Sequence, residues 1–362
     1  MQFITKLKQF YKANERILIP TMLIFGVIVD FVTFRTIKIS SAFIVLAIYW
    51  LIAGATIIFI HRSNGSEQTH QNIVSKYYSI IAPLVIQFTF GATLSASFIF
   101  YWFSGSFSVS WPFMFLIAIL MIANEAFRKY YMRPMIQVSV YYFITLSLIT
   151  LMLPYLFNSI SAWIFALGGI LSLMIGYLYL EMLASYAHRL QFIKKRLQVI
   201  ALIIFGLMNL LYFTNLIPPI PLSLTEAGVY HHIERSNGGY ILEAESQNLL
   251  EKMIPGEVIH VSEGEPVYVY SAIFAPFDLN TQIIHEWQHF DNDTKRWVTK
   301  DELGFTIYGG RDEGYRGFSQ KSSLSEGFWR VNVQTSRGQT IGVVRFKIRF
   351  VDDEIKTEEV AR

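Results

Sequence analysis

The stretch SAFIVLAIYWLIAGATIIFI, residues 41–60, decides the fold class of the first half of the chain. It carries no charge, and its length is what an α-helix needs to cross the roughly 30 Å hydrocarbon core of a bilayer. Further apolar runs of this kind occur at 17–36, 79–103, 110–127, 136–157, 161–184 and 197–217. Because these runs are continuous and do not alternate, they predict a membrane α-helical bundle of about seven transmembrane helices over residues 17–217.

The composition is that of a membrane protein. Hydrophobic residues make up 53% of the 362 residues and charged residues 16%, against about 25% charged residues in typical soluble domains. The chain has no cysteine, which excludes disulfides, thiolate metal sites and a cysteine nucleophile. No motif predicts a cofactor.

Charge divides the chain into two halves and orients the first. Residues 1–222 hold 15 Lys and Arg against 5 Asp and Glu, whereas residues 223–362 hold 15 against 22. In the first half, 13 of the 15 basic residues fall in the N-terminal segment 1–16 and in alternate loops or helix ends. The positive-inside rule places these in the cytoplasm. An odd number of spans then puts the acidic second half on the other side of the membrane, and its net negative charge argues against nucleic acid as a partner.

Polar and ionisable side chains within or beside the spans are candidate functional residues, because burying them in lipid is costly. The candidates are Asp30, Asn124, Glu125, Arg128 and Glu181. Glu125 and Arg128 are three residues apart, so they share a helical face and are able to pair. Two interpretations stay open for the group: polar helix ends at the membrane interface, or a polar cluster between helices.

The second half has the pattern of an all-β domain. Residues 263–351 contain short runs of β-branched and aromatic residues, separated by turn-forming segments such as DNDTK and SLSEG. In FWRVNVQT, residues 328–335, apolar residues alternate with polar ones, as in a strand with one buried face. About seven such strands predict an antiparallel immunoglobulin-like sandwich. We expect a linker with a short helix at ESQNLLEKMI before it, residues 218–262, and a C-terminal tail after it, residues 352–362.

The sequence HEWQH, residues 285–289, matches the HExxH pattern of zinc peptidases. In those enzymes a helix places both histidines on one face, where they bind Zn²⁺, and the glutamate activates a bound water. Here the flanking β-branched and aromatic residues and the following DND turn favour a strand. On a strand, His285, Trp287 and His289 share one face and Glu286 points to the other. We expect the polar residues of this strand either to be structural or to contact a ligand. A metal site at His285 and His289 is the weaker alternative.

The segment GGRDEGYRGFSQK, residues 309–321, is a second candidate binding element. Its glycines permit a tight loop, and Arg311, Tyr315, Arg316 and Phe318 supply planar donors and aromatic faces. Such residues stack on sugar rings and hydrogen-bond to hydroxyls or acidic groups. The alternative is a structural corner in which an arginine ties the loop to the domain.

Several of these motifs together resemble the bacterial domain of unknown function numbered 2914. They are APFDLNTQIIHEWQHF, GGRDEGYRGFSQK and GFWRVNVQTSRGQTIGVVRFKI, in this order. The seven-helix half, with NEAFR after its fourth span, is similar to the membrane region that often precedes that domain. The resemblance implies a multi-pass protein of a bacterial inner membrane with its β domain in the periplasm, and it implies no activity.

Three functions are open at this point. The leading one is a non-enzymatic envelope protein, surrounded by the lipid bilayer, whose periplasmic domain binds a glycan, a lipid head group or a membrane-protein partner. The second is a membrane-embedded enzyme or carrier that acts on a lipid-linked substrate through Asp30, Glu125, Arg128 and Glu181. The third is a zinc peptidase that uses HEWQH.

Overall fold

A computed structural model gives the structure of most of the chain. It describes residues 27–28, 30–32, 39–65, 73–104, 107–126, 133–186, 188–219, 222–236, 239–245, 257–275, 279–308, 314–352 and 355–362. The chain divides into a helical unit that ends at Thr214 and a β unit that contains Asn215–Arg362.

In the described residues of the helical unit, six helices are long and apolar enough to cross a membrane. They are α1 (Ile39–Gly65), α2 (Ile73–Ser104), α3 (Phe107–Ala126), α4 (Pro134–Leu156), α5 (Ala162–Tyr186) and α6 (His188–Phe213). These helices confirm six of the predicted spans. The remaining span, 17–36, lies mostly outside the described residues, and its described residues, 27–28 and 30–32, are helical.

The α4 helix is the centre of the helical unit. Most of its length is buried, and it packs against α1, α5 and α6. Trp50 Nε1 of α1 donates a hydrogen bond to Thr145 Oγ1 of α4 at 2.8 Å. Large apolar side chains such as Phe115, Ile170 and Ile203 stay exposed on the outer helix faces, as expected for a surface in contact with lipid.

The last helix begins earlier than predicted. The predicted span is 197–217, because the basic residues 194–196 are typical of a cytoplasmic loop before a membrane helix. The observed helix α6 instead covers His188–Phe213. Lys194 is part of this helix, and its Nζ lies 2.5 Å from Glu181 Oε1 of α5. A lysine within a helix can extend its long side chain so that the charged end reaches a partner or water. The basic residues therefore do not interrupt α6.

The β unit has eleven strands among its described residues. They are β1 (Ser223–Tyr230), β2 (His232–Ser236), β3 (Gly239–Glu245), β4 (Glu257–Val261), β5 (Val267–Phe274), β6 (Asn280–Asp291), β7 (Arg296–Tyr308), β8 (Tyr315–Lys321), β9 (Gly327–Thr335), β10 (Thr340–Phe350) and β11 (Thr357–Ala361). They form a three-stranded sheet β1-β5-β8, a five-stranded sheet β4-β10-β9-β6-β7 and a second three-stranded sheet β11-β3-β2. The pairs are antiparallel except β4 with β10, which is parallel.

The predicted linker and tail are wrong in part, because both contain strands. Segment 218–262 contributes β1 to β4, and segment 352–362 contributes β11. The predicted helix at ESQNLLEKMI begins at Glu245, the last residue of β3, and its other residues lie outside the described part of the chain. These strands were not predicted because most are short and several carry glutamates, so their apolar signal is weak. Their few apolar residues, such as Leu242 and Ile259, are nonetheless buried.

Strand β5 lies between two hydrophobic cores. Val267 and Val269 on one face join Trp287, Trp329 and other residues of the five-stranded sheet. Tyr268 and Tyr270 on the other face join residues of β2 and β3. This double burial explains why VYVYSAIF reads as one apolar run without alternation.

Candidate functional site

The sequence-predicted residues His285 and Trp287 lie in the core of the β unit and not on its surface. Both side chains are 0% exposed. Ser271 Oγ of β5 lies 2.9 Å from His285 Nε2, and Ser319 Oγ of β8 lies 2.8 Å from Nδ1. Trp287 Nε1 donates a hydrogen bond to the same Ser319 Oγ at 3.0 Å. This buried polar group connects the five-stranded sheet to strands β5 and β8.

Burial fixes the protonation state of His285. Removal from water disfavours the imidazolium and lowers the pKa of His285 to about 4. In the neutral ring one nitrogen donates and the other accepts, so two serine hydroxyls satisfy both. The arrangement is structural: it holds the two sheets in register without leaving a buried polar atom unpaired.

The HEWQH residues form a strand, as predicted, and the geometry does not fit a zinc peptidase. His285 and His289 are four residues apart in β6, about 13 Å along the strand. His289 packs its ring 4.8 Å from that of Trp329, and its Nε2 lies 3.1 Å from the carbonyl oxygen of Glu326. Within the described residues, no group of three or more His, Cys, Asp or Glu is arranged to hold a metal ion.

The residues of segment 309–321 are divided between different faces. Arg311 lies outside the described residues. Tyr315 packs against the buried cluster that contains Ile273. Phe318 is 37% exposed and lies with Tyr240 and Tyr268, at ring distances of 6.0 Å, and the Arg316 carbonyl accepts a hydrogen bond from Tyr240. Arg316 and Phe318 are therefore together, but His285, Trp287 and Tyr315 do not join them on one surface.

The polar candidates of the helical unit have polar partners on neighbouring helices. Asn124 is buried, and its Nδ2 donates to the Gln87 carbonyl at 3.0 Å, while Gln87 Nε2 donates to Glu125 Oε2 at 2.8 Å. Glu181 pairs with Lys194 instead. The polar neighbour of Asp30 is Ser95 of α2, and Arg128 lies outside the described residues. Among the described candidates, Asn124 and Glu125 therefore meet at Gln87, whereas Glu181 has its partner on α6.

The residues of HEWQH that point away from the core begin a polar network on the outer face of the five-stranded sheet. Glu286 Oε1 accepts hydrogen bonds from Gln288 Nε2 and Thr299 Oγ1, both at 2.7 Å, and Oε2 accepts one from Asn332 Nδ2 at 2.9 Å. Arg330 Nε donates to Gln288 Oε1 at 2.7 Å. Three neighbouring strands, β7, β6 and β9, thus present one connected set of donors and acceptors.

The network holds Glu286 in its charged form. Partial burial raises the pKa of Glu286, but hydrogen bonds from Asn332, Thr299 and Gln288 and the nearby Arg330 outweigh it, so the pKa lies below its ordinary value. The side chains are fixed before any ligand arrives, which reduces the entropy that binding would cost.

An aromatic row borders this network on the same face. The rings of Phe290 and Trp297 meet edge to face at 5.2 Å, and the Arg330 guanidinium lies 4.5 Å from the Trp297 ring centre. Phe328 of β9 is 54% exposed, with Lys347 Nζ 5.3 Å from its ring centre. We call these aromatic residues and the network around Glu286 the outer-sheet site.

Trp297 reaches this face because of a β-bulge. Trp287 lies opposite Asp301 and Gln288 lies opposite Thr299, so Lys300 is an extra residue in β7. Such a bulge shifts the alternation by one residue. The sequence predicts the alternation of β9 and places Glu286 on the face opposite His285, but the binding residues predicted on β6, His285, Trp287 and His289, lie on the other face. The bulge has no clear sequence signal, and the position of Trp297 required the structure.

Comparison with family models gives a match in the C-terminal part of the chain, to a domain of unknown function. A family model described as "Protein of unknown function (DUF2914)" matches residues 280–348. This match confirms the resemblance for the C-terminal domain, and it covers β6 to β9 and most of β10, which carry the outer-sheet site. No curated protein matches the chain.

Two solved structures show only weak likeness. A β-glucosidase from Listeria innocua in complex with gluconolactone has 15% identity and a TM-score of 0.19, over 30% of this chain and 16% of its own. The Pseudomonas fluorescens alkylpurine DNA glycosylase AlkC, bound to DNA containing an abasic site analogue, has 8% identity and a TM-score of 0.22, over 84% of this chain and 97% of its own. Similarity this weak carries no argument about fold or function.

Proposed function

We propose that the protein is a non-enzymatic, multi-pass protein of a bacterial inner membrane whose periplasmic β domain binds a glycan of the cell envelope at the outer-sheet site. The observation that carries the proposal is the connected network of Glu286, Gln288 and Arg330 beside the exposed ring of Phe328. Sugar rings stack on aromatic faces, and their hydroxyls need several fixed donors and acceptors. The outer-sheet site offers both on one open surface.

The orientation is part of the same proposal. The N-terminus, residues 1–16, would lie in the cytoplasm and the β domain in the periplasm, because basic residues concentrate in the loops on one side of the predicted spans. The helical unit would anchor the domain next to the envelope material that it binds.

We also propose that the two sheets that share the Trp287 and Trp329 core form an immunoglobulin-like sandwich. Support comes from the mixed origin of this core, to which β5 and the five-stranded sheet both contribute. The parallel pair β4 and β10 and the third sheet are additions to that arrangement.

The test of the binding function is Phe328→Ala in the full-length protein in detergent micelles, measured with neutral and acidic oligosaccharides. We expect the dissociation constant to rise about fivefold, because loss of one stacking ring costs on the order of 1 kcal/mol. Phe318→Ala is the matched control, since Phe318 is also exposed but lies on β8. Loss of binding in Phe318→Ala with normal binding in Phe328→Ala would move the site to segment 309–321 and overturn the proposal.

A further inference from the structure

The outer face of the five-stranded sheet has a row of positive charge. Arg345 of β10 lies directly opposite Arg330 of β9, and like charges in this position repel each other. Lys347 and Arg349 follow Arg345 on the same face of β10, since they are two and four residues further along the strand. The row lies in a half of the chain that has more acidic than basic residues, so it is a local feature and not a general excess of charge.

Acidic residues lie near both ends of this row: the charge of Glu286 attracts that of Arg330, and Glu245 contacts His260, which lies opposite Arg349. Glu286 is engaged by three hydrogen bonds from neutral side chains, and Glu302 lies opposite it on the edge strand β7. Within the described part of the chain, Arg345 forms no ion pair, and its side chain is exposed. The β9 and β10 side of the face is therefore positive, and the β6 and β7 side is negative.

We infer that the ligand of the outer-sheet site is an acidic glycan, whose carboxylate or phosphate group binds at Arg345, on the side of β9 away from the Arg330 contacts with Gln288 and Trp297, while a sugar ring lies on Phe328. The inference rests on the proposed function. An anion at this place removes the repulsion between the two arginines, and the guanidinium of Arg345 presents a fork of donors that matches a carboxylate or a phosphate. Lys347, which lies over Phe328, adds a cation beside the same ring.

A discrete acidic group on a sugar fits better than an anionic lipid surface. A membrane would bring many negative charges against the whole face, including Glu286 and Glu302, and would be repelled there. An oligosaccharide can place its anionic group at the arginines and its hydroxyls at the acidic and amide side chains, which act as acceptors and donors.

The experiment uses the full-length protein in detergent micelles and two pairs of probes. The carboxylate pair is hexagalacturonate and its methyl ester, and the phosphate pair is pentamannose phosphate and neutral pentamannose. We expect at least one acidic probe to bind tenfold or more tightly than its neutral partner, with an affinity that falls as salt is added. The pair that shows the difference identifies the anionic group.

The variants test whether Arg345 binds the anionic group of the probe. Arg345→Gln is expected to weaken binding of the acidic probe about tenfold and to leave the neutral partner unchanged, and Arg345→Lys is expected to restore part of the loss. Arg235→Gln, an exposed arginine of β2 in another sheet, is the matched control and should bind as the wild type.

Three results would overturn the inference, and they differ in what they say about the proposed function. Equal binding of acidic and neutral probes, abolished by Phe328→Ala, would refute the anionic group and keep glycan binding. An equal loss in Arg345→Gln and Arg235→Gln would refute the role of Arg345. No binding of any of the four probes would overturn both proposals.

Discussion

His285 and Glu286 are neighbours in β6 with opposite environments. His285 is enclosed between two sheets, with serine hydroxyls at both ring nitrogens. Glu286 faces outward, accepts three hydrogen bonds and stays ionised. The alternation of a strand separates them, so the motif that resembles a zinc-peptidase signature is divided between a structural core and a candidate binding surface.

The buried His285 makes the β unit sensitive to mild acid. A histidine with a lowered pKa takes up its proton more readily in the unfolded chain, so stability is complete above about pH 6.5 and is lost as the pH falls to about 4. We expect the free energy of opening around β6 to fall by about 2 kcal/mol between pH 7 and pH 5. Hydrogen exchange of β6 peptides in the full-length protein measures this fall.

The control for this effect is His285→Gln, which removes the titrating group. We expect the variant to be less stable than the wild type at pH 7 but to show little change between pH 7 and pH 5. His232→Gln, at an exposed position on β2, should keep the full pH dependence. If His285→Gln kept the same pH dependence as the wild type, another group would be responsible.

At the scale of elements, the short strands before residue 263 are integral parts of the β unit. Glu245 lies at the end of β3, and its Oε2 accepts a hydrogen bond from the backbone N–H of His260 of β4 at 3.0 Å. Its Oε1 lies 2.6 Å from Nδ1 of the same histidine. His231 Nε2 lies 3.6 Å from the same carboxylate. One carboxylate thus connects β3 to β4, two strands that belong to different sheets.

Substitution of Glu245 tests this connection. Burial raises the pKa of Glu245, but the contacts with His231 and His260 outweigh it and bring the pKa to about 2. A carboxyl with a lowered pKa stabilises the fold above its unfolded pKa of about 4.5, and that stability is lost as the pH falls to about 2. We expect Glu245→Gln to lower the free energy of unfolding by about 1–3 kcal/mol at neutral pH and to remove this acid dependence.

Thermal unfolding of the full-length protein, followed by β-sheet circular dichroism, measures the effect of Glu245→Gln. Glu234→Gln is the control. Glu234 is exposed on β2, and its substitution changes the net charge by the same amount. Equal unfolding midpoints for the two variants would show that the carboxylate does not connect the two strands.

At the scale of the whole molecule, the absence of cysteine makes the proposed orientation directly testable. A single cysteine at Ser323, an exposed position between β8 and β9, would be the only thiol in the protein. We expect a membrane-impermeant maleimide to label Ser323→Cys from the periplasmic side, in cells whose outer membrane is permeable. Lys12→Cys, in the predicted cytoplasmic segment, should react only after the inner membrane is opened. Labelling in the reverse order would refute the orientation.

The sequence by itself determined the two-part organisation and the strand at HEWQH. The reasons are local: an apolar run of about 20 residues is read from composition alone, and strand alternation is read from every second residue. The same alternation indicated that His285 and Trp287 share a face opposite Glu286.

Only the tertiary structure decided which face of that strand is buried and what surrounds it. The short strands β1 to β4 become recognisable only through their partners, because a strand of five to eight residues with several charges has little apolar signal of its own. The outer-sheet site depends on the bulge at Lys300 and on the register that sets Arg345 opposite Arg330. Both are properties of strand pairing between distant segments, and pairing is determined by the packing of the whole domain.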